Sequence, residues 1–195
     1  MKENVLQILK TKFILHGGFH PGSTSEDNTS FYKEILKDAP QNVKILLVPF
    51  AKDPERISAS TEKITSEFNK NKEQRYVTIE VANEKEFLHQ IKTANVIYFQ
   101  GGKSIKLLEA LKKYSHLEEV LLGKIVAGES AGANVWGKFF YSPHANTIFQ
   151  GLGILPLKII PHYKKEYEGK LDSVGVGLET LLLPEYEFKV FINNG

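Results

Sequence analysis

Short apolar runs alternate with amphipathic stretches as far as residue 128. KFILHGG at 12–18 reads as a buried strand running into a glycine turn, and KILLVPFA at 44–51 as a second strand. YVTIEVA at 76–82 alternates like a strand, NVIYFQGG at 95–102 is a strand ending in two glycines, and KIVAG at 124–128 is one more. Helical spacing fills the gaps. Phe31, Ile35 and Leu36 form one stripe, closed by Pro40, and Ile57, Ile64 and Phe68 form another that begins near Pro54. Phe87, Leu88 and Ile91 mark a short helix, Ile105, Leu108 and Leu111 the next, and a further helical piece falls around 116–122. Continuous apolar strands separated by helices predict an α/β fold, a mostly parallel sheet with helices on both faces. Right-handed crossovers then bring the strand C-terminal ends to one edge, where ligands of such folds bind. The glycine turns at 17–18, 101–102 and 128–132 all follow strands and are expected on that edge. After residue 138 the pattern becomes irregular, and ILPLKIIPHY at 154–163 and LLLPEYEFKVFI at 181–192 are its remaining strand-like runs.

No linker, repeat or low-complexity tract interrupts residues 1–195, so a single domain is expected. The net charge of +2 is too balanced for a nucleic-acid surface. No apolar run approaches the roughly 18 residues that a membrane span needs. There is no cysteine, which excludes disulfides, thiolate metal sites and a cysteine nucleophile. The N-terminal MKENVLQILKTK has no apolar signal core. A cytoplasmic protein is the expectation.

GESAGAN at 128–134 matches G-x-S-x-G. In that pattern a serine sits on a sharp strand-to-helix turn, small neighbours let the chain pass close by, and the next backbone N–H, here that of Ala131, faces a developing oxyanion. The same residues also describe a tight turn with a polar side chain. A nucleophilic Ser130 needs a base. His89 and His116 lie in polar helical segments and His144 in the irregular region. His16 and His20 are four apart, but the glycines between them argue against a helical metal pair, and no metal site is expected. His162 follows the apolar run 157–161 at a strand end, on the expected active edge; a satisfied terminal histidine would look the same. Glu185, after LLLP, is the candidate third member, although on the residues alone it also reads as a surface carboxylate in a turn. QGGKS at 100–104 could supply a second oxyanion donor or hold a substrate carboxylate through free N–H groups, and it lacks the spacing of a nucleotide loop.

Four segments together resemble the dipeptidase E family, in that family's order: FQGGKSIKLLEAL, GESAGAN, GLGILPLKIIPHY and LLLPE. The resemblance covers most of the chain. It implies a class I glutamine amidotransferase-like, flavodoxin-like fold and a serine peptidase acting on small peptides without metal or organic cofactor. It gives Ser130 the nucleophile role, His162 the base role and Glu185 the acid role, with the backbone N–H groups of Gly102 and Ala131 at the oxyanion and Gly101, Lys103 and Glu129 near the substrate. The order Ser, His, acid separates this family from α/β-hydrolases. Several features depart from the family pattern. Lys103-Ser104 replaces the usual residues after the glycine pair, and Glu129 brings a charge beside the serine that would repel acidic substrates. Residues 138–161 hold no aspartate or glutamate, which leaves Glu185 as the acid. The interval from His162 to Glu185 holds no arginine, and lysines at 164, 165 and 170 do not reproduce its two-pronged grip on a carboxylate. These departures bear on aspartyl specificity more than on the nucleophile. The rival readings are a non-catalytic binding module that kept the fold and an acyl-ester hydrolase.

Overall fold

The computed structural model describes residues 10–19 and 28–194. Its larger sheet has six strands in the order β10-β1-β5-β4-β2-β3. These are β1 (Thr11–His16), β2 (Asn42–Val48), β3 (Tyr76–Val81), β4 (Val96–Phe99), β5 (Ile125–Glu129) and β10 (Phe188–Asn193). All neighbours are parallel except β10, which runs antiparallel to β1.

Successive residues of the central strands enter two different cores, which is why these strands read as unbroken apolar runs. Ile14, Ile45, Leu47, Val96, Tyr98 and Ala127 face α1 (Thr29–Lys37) and α2 (Pro54–Asn71). Phe13, Leu15, Leu46, Val48, Ile97, Phe99 and Val126 face the other way. There they meet α3 (Phe87–Thr93), α4 (Ser104–Leu111) and α5 (Leu117–Leu121). The start of α2 is set locally: Asp53 is extended at the N-cap and Pro54 occupies the first turn, where its missing N–H costs nothing. No helix among the described residues is long and apolar enough to cross a membrane.

The region read as irregular from sequence is a second sheet of order β7-β6-β8-β9. It contains β6 (Gly137–Ser142), β7 (Thr147–Gln150), β8 (Leu155–Pro161) and β9 (Glu179–Leu183). Its inner side chains, among them Phe140, Leu157, Ile159 and Leu181, join the same core as α3 to α5. Trp136 is fully buried there, edge-on to Phe13 at 5.4 Å and Phe99 at 4.8 Å. The outer side is covered by the segment 163–174 through Tyr163, Tyr167 and Leu171. The strand-like run at 181–192 therefore divides between two sheets, with a break at Pro184–Glu187.

Candidate active site

The three glycine turns meet at the C-terminal ends of the adjacent strands β1, β5 and β4. Ser130 follows β5 at φ 51°, ψ −105°, a backbone conformation that few side chains tolerate. Its neighbours must be glycine because the chain folds back on itself. A Cβ on Gly128 would lie 2.3 Å from the Gly132 carbonyl, and one on Gly132 would lie 2.1 Å from the Phe99 carbonyl. The Ser130 N–H donates to the His16 carbonyl at 3.0 Å, and its own carbonyl accepts from Ala133 and Asn134 to open the short helix α6 (Ala131–Asn134). The helix is short, and the chain enters β6 at Gly137.

His162 stands at the end of β8 and Glu185 in the turn between β9 and β10. His162 Nε2 is 2.9 Å from Ser130 Oγ, and His162 Nδ1 is 2.9 Å from Glu185 Oε1. A carboxylate only accepts, so Nδ1 carries the proton and Nε2 accepts from the serine hydroxyl. The sequence brings these three residues into contact from positions 32 and 23 residues apart.

What holds them is the Gly17-Gly18 turn, a role the sequence did not reveal. The His162 N–H donates to the Gly17 carbonyl at 2.8 Å, Tyr186 N–H to the Gly18 carbonyl at 3.1 Å, and Gly17 N–H to the Glu187 carbonyl at 2.9 Å. The imidazole lies over Gly18, where a Cβ would be 2.3 Å from His162 Cε1. Gly18 N–H in turn donates to His16 Nδ1 at 3.0 Å. His16 is fully buried, and that burial, helped by the neighbouring His162, pushes its pKa down to about 3. It is a neutral structural group with Nδ1 engaged. His20 lies outside the described residues, and no cluster of metal-ligating side chains occurs among the described ones.

Beside the serine, Ala131 opens α6, where a backbone N–H has no partner within the helix. Gly102 has φ +150°, and a Cβ there would strike the Ala51 carbonyl at 2.4 Å. The neighbouring Lys103 N–H is taken by that same carbonyl at 2.9 Å. The Lys103 side chain reaches the cleft but pairs with Asp53 at 2.9 Å and holds that carboxyl below its usual range.

Glu129 and Gly101, which the resemblance put near the substrate, are not among the residues that line the cleft. Glu129 is 6% exposed and points beneath the site, where its carboxyl accepts from Gly101 N–H and from the Tyr98 hydroxyl, each at 3.1 Å. Burial pushes its pKa up. The side chain shares the β5 face of Ala127 and packs toward Tyr98, so its carboxyl is engaged within the protein and does not line the cleft.

The cleft in front of Ser130 and His162 measures about 690 Å³. Its far wall is the β6–β7 turn with His144, together with Phe149 and Tyr167. Sequence reasoning missed this wall because the region showed no clear period. Asn134, also unremarked, lines the floor and donates from Nδ2 to Ser104 Oγ at 3.0 Å, tying α6 to α4.

Similar proteins frame this geometry. Crystal structures of a peptidase E candidate from Listeria monocytogenes EGD-e and of a peptidase from an acI-B1 actinobacterium share the fold. The first superposes with a TM-score of 0.63 at 19% identity, covering 94% of this chain and 98% of that one. The second gives 0.64 at 19% identity, with coverages of 94% and 84%. Peptidase E of Shewanella oneidensis is 39% identical over 82 residues, which is 37% of this chain and 35% of that protein. Peptidase E of Shewanella sp. MR-4 is 40% identical over a stretch of the same length. The matched stretch is thus about a third of these relatives' length. The profile of peptidase family S51 matches residues 13–174, a span that includes Ser130 and His162 and stops short of Glu185. With most of its length inside that match, the chain belongs to peptidase family S51.

Proposed function

We propose that this protein is a serine peptidase that hydrolyses small peptides through Ser130, His162 and Glu185. The observation that carries the reading is the unbroken hydrogen-bonded line from Ser130 Oγ through both ring nitrogens of His162 to Glu185, with 2.9 Å at each link. Ser130 Oγ attacks the scissile carbonyl as His162 Nε2 takes its proton. Glu185 keeps the imidazole in the required tautomer and stabilises the imidazolium. The N–H groups of Gly102 and Ala131 receive the oxyanion. His162 then returns the proton to the leaving amine, and water repeats the sequence on the acyl-enzyme. Membership of peptidase family S51 supports peptide hydrolysis over ester hydrolysis. The cleft of about 690 Å³ suits a ligand of a few residues. Arg56 and Arg75, the only arginines of the chain, lie outside its lining, so no forked cation awaits an acidic side chain.

The test is intact-mass spectrometry after incubation with a fluorophosphonate, alongside Ser130→Ala and His162→Ala. One adduct on the wild type, absent from both variants, is expected. Profiling against dipeptides with acidic, apolar and basic first residues follows, with p-nitrophenyl acetate as the ester control. Cleavage of any dipeptide should fall by several orders of magnitude in either variant. A wild type that is neither labelled nor active on any peptide would instead favour a non-catalytic binding module, and cleavage of the ester alone an acyl-ester hydrolase.

A further inference from the structure

Four consecutive backbone N–H groups leave the end of β4, and three are spoken for. Gln100 N–H donates to the Val48 carbonyl at 3.1 Å, Gly101 N–H to Glu129 Oε1 at 3.1 Å and Lys103 N–H to the Ala51 carbonyl at 2.9 Å. Gly102 N–H, the one assigned to the oxyanion, has no acceptor among the described residues. Its direction is therefore set by the bonds on either side of it. One of these is a main-chain bond to the β2 side. The other comes from a side chain, and the reason is local. The β4–β5 register ends at the pair Phe99 and Gly128, and although the Glu129 carbonyl comes close to Gly101, no β5 main-chain oxygen accepts from its N–H. The Glu129 carboxyl fills that place and is itself anchored by the Tyr98 hydroxyl at 3.1 Å, with the Tyr32 hydroxyl 3.5 Å beyond. The fit is close: a Cβ on Gly101 would sit 3.2 Å from Glu129 Cγ.

We propose that Glu129 is a positioning residue of the oxyanion hole: from beneath the site it holds the Gly101-Gly102 turn against the nucleophile elbow and so aims the Gly102 N–H at the reacting carbonyl oxygen. The inference rests on the serine-peptidase reading. Because Glu129 immediately precedes Ser130, nucleophile and oxyanion donor are kept in register by one residue. The acceptor oxygen is what matters, and the negative charge is not. In Glu129→Gln the side-chain amide oxygen can still accept from Gly101 N–H, and the amide N–H can donate to the Tyr98 hydroxyl, which then turns its own proton toward Tyr32.

The experiment is the rate of labelling by diisopropyl fluorophosphate, followed by intact mass. Ser130 Oγ bonds to phosphorus as fluoride leaves and His162 takes the proton, and the phosphoryl oxygen occupies the oxyanion position. Relative to wild type, Glu129→Ala should label about 100-fold more slowly, the scale of losing one oxyanion donor. Glu129→Gln should stay within about threefold, because the acceptor is kept. Tyr98→Phe, which removes only the anchor, should slow labelling about fivefold and serves if Glu129→Ala does not fold. Labelling of Glu129→Ala at the wild-type rate, or of Glu129→Gln as slowly as Glu129→Ala, overturns the proposal while leaving Ser130 as nucleophile. If wild type neither takes the label nor cleaves any dipeptide, the serine-peptidase reading fails and the inference goes with it; if it cleaves a dipeptide without being labelled, the same ratios are read in kcat/KM on that dipeptide.

Discussion

Backbone strain gathers at the residues proposed for catalysis. Among the described residues, five other than glycine have positive φ; Ser130, His162 and Tyr186 are three of them, the last adjoining Glu185. Such conformations cost on the order of 1–3 kcal/mol each and persist where the surroundings over-determine them. At Ser130 the surroundings are the His16 carbonyl bond, the start of α6 and the packing of Gly128 and Gly132 against neighbouring carbonyls. The strain can be read by comparing two inactive variants. Ser130→Ala keeps the Cβ and its strain, and Ser130→Gly removes both. Glycine gives back roughly 0.5–1 kcal/mol through the greater freedom of its unfolded chain. A net advantage of about 1 kcal/mol for Ser130→Gly over Ser130→Ala is therefore expected in urea unfolding. Equal midpoints, or a lower one for the glycine variant, would mean that the elbow is relaxed.

At the scale of elements, the site depends on a turn that contributes none of its reactive groups. Gly17-Gly18 leaves β1 and binds the end of β8 and the β9–β10 turn, so it fixes His162 and Glu185 relative to Ser130. Gly18→Ala puts a methyl group into the imidazole at a residue with φ +111°. Displacing the ring by about 1 Å is expected to cost roughly 100-fold in labelling or peptide turnover, with far-ultraviolet circular dichroism unchanged. Labelling near the wild-type rate would show that His162 finds its place without this turn. The same turn illustrates what the sequence could and could not convey. Strands β1, β2, β4 and β5 were legible because both their faces are largely buried, the edge strand β3 by its alternation, and the elbow because Gly128 and Gly132 are forced by main-chain contacts. Of the partners of Ser130, His162 was marked by its strand end on the active edge, but that position equally suited a satisfied terminal histidine, and Glu185 equally suited a surface turn; the resemblance gave both their roles. The β6–β7 hairpin was not legible. Phe139 and Tyr141 face one cluster and Phe140 another, so the alternation of a half-exposed strand is absent. The placement of Glu129 beneath the site was hidden too, because sequence adjacency to the serine does not say which face of β5 the side chain occupies.

For the molecule as a whole, charge is nearly balanced at +2, so general self-repulsion is a small part of its stability near neutral pH. Individual buried groups then shape the response to pH, and two of them act in opposite directions. Glu129, with its pKa raised by burial, favours the fold below the ordinary carboxylate range and loses that contribution as pH rises through the folded value. His16, depressed from 6.5 to about 3 by burial and then by His162, behaves the other way. Between those values the unfolded chain binds a proton at His16 that the folded protein does not. Its contribution is therefore fully present above 6.5 and is lost as pH falls toward 3, at up to about 1.4 kcal/mol per pH unit. His16→Asn isolates this effect, since the amide oxygen can still accept from Gly18 N–H while the titration is gone. Ion pairs such as those of Asp38 with Lys12 and Glu80 with Lys44 weaken in acid alike in both proteins and cancel in the comparison. Urea midpoints from pH 7.5 down to 4 should show the wild type starting the more stable, because the smaller side chain leaves a void beneath Phe19 and Phe31. Its advantage should then shrink steadily below pH 6.5. Two curves that stay parallel across that range would mean that His16 protonates in the folded protein much as it does in water, and that the turn carrying His162 is looser than its hydrogen bonds imply.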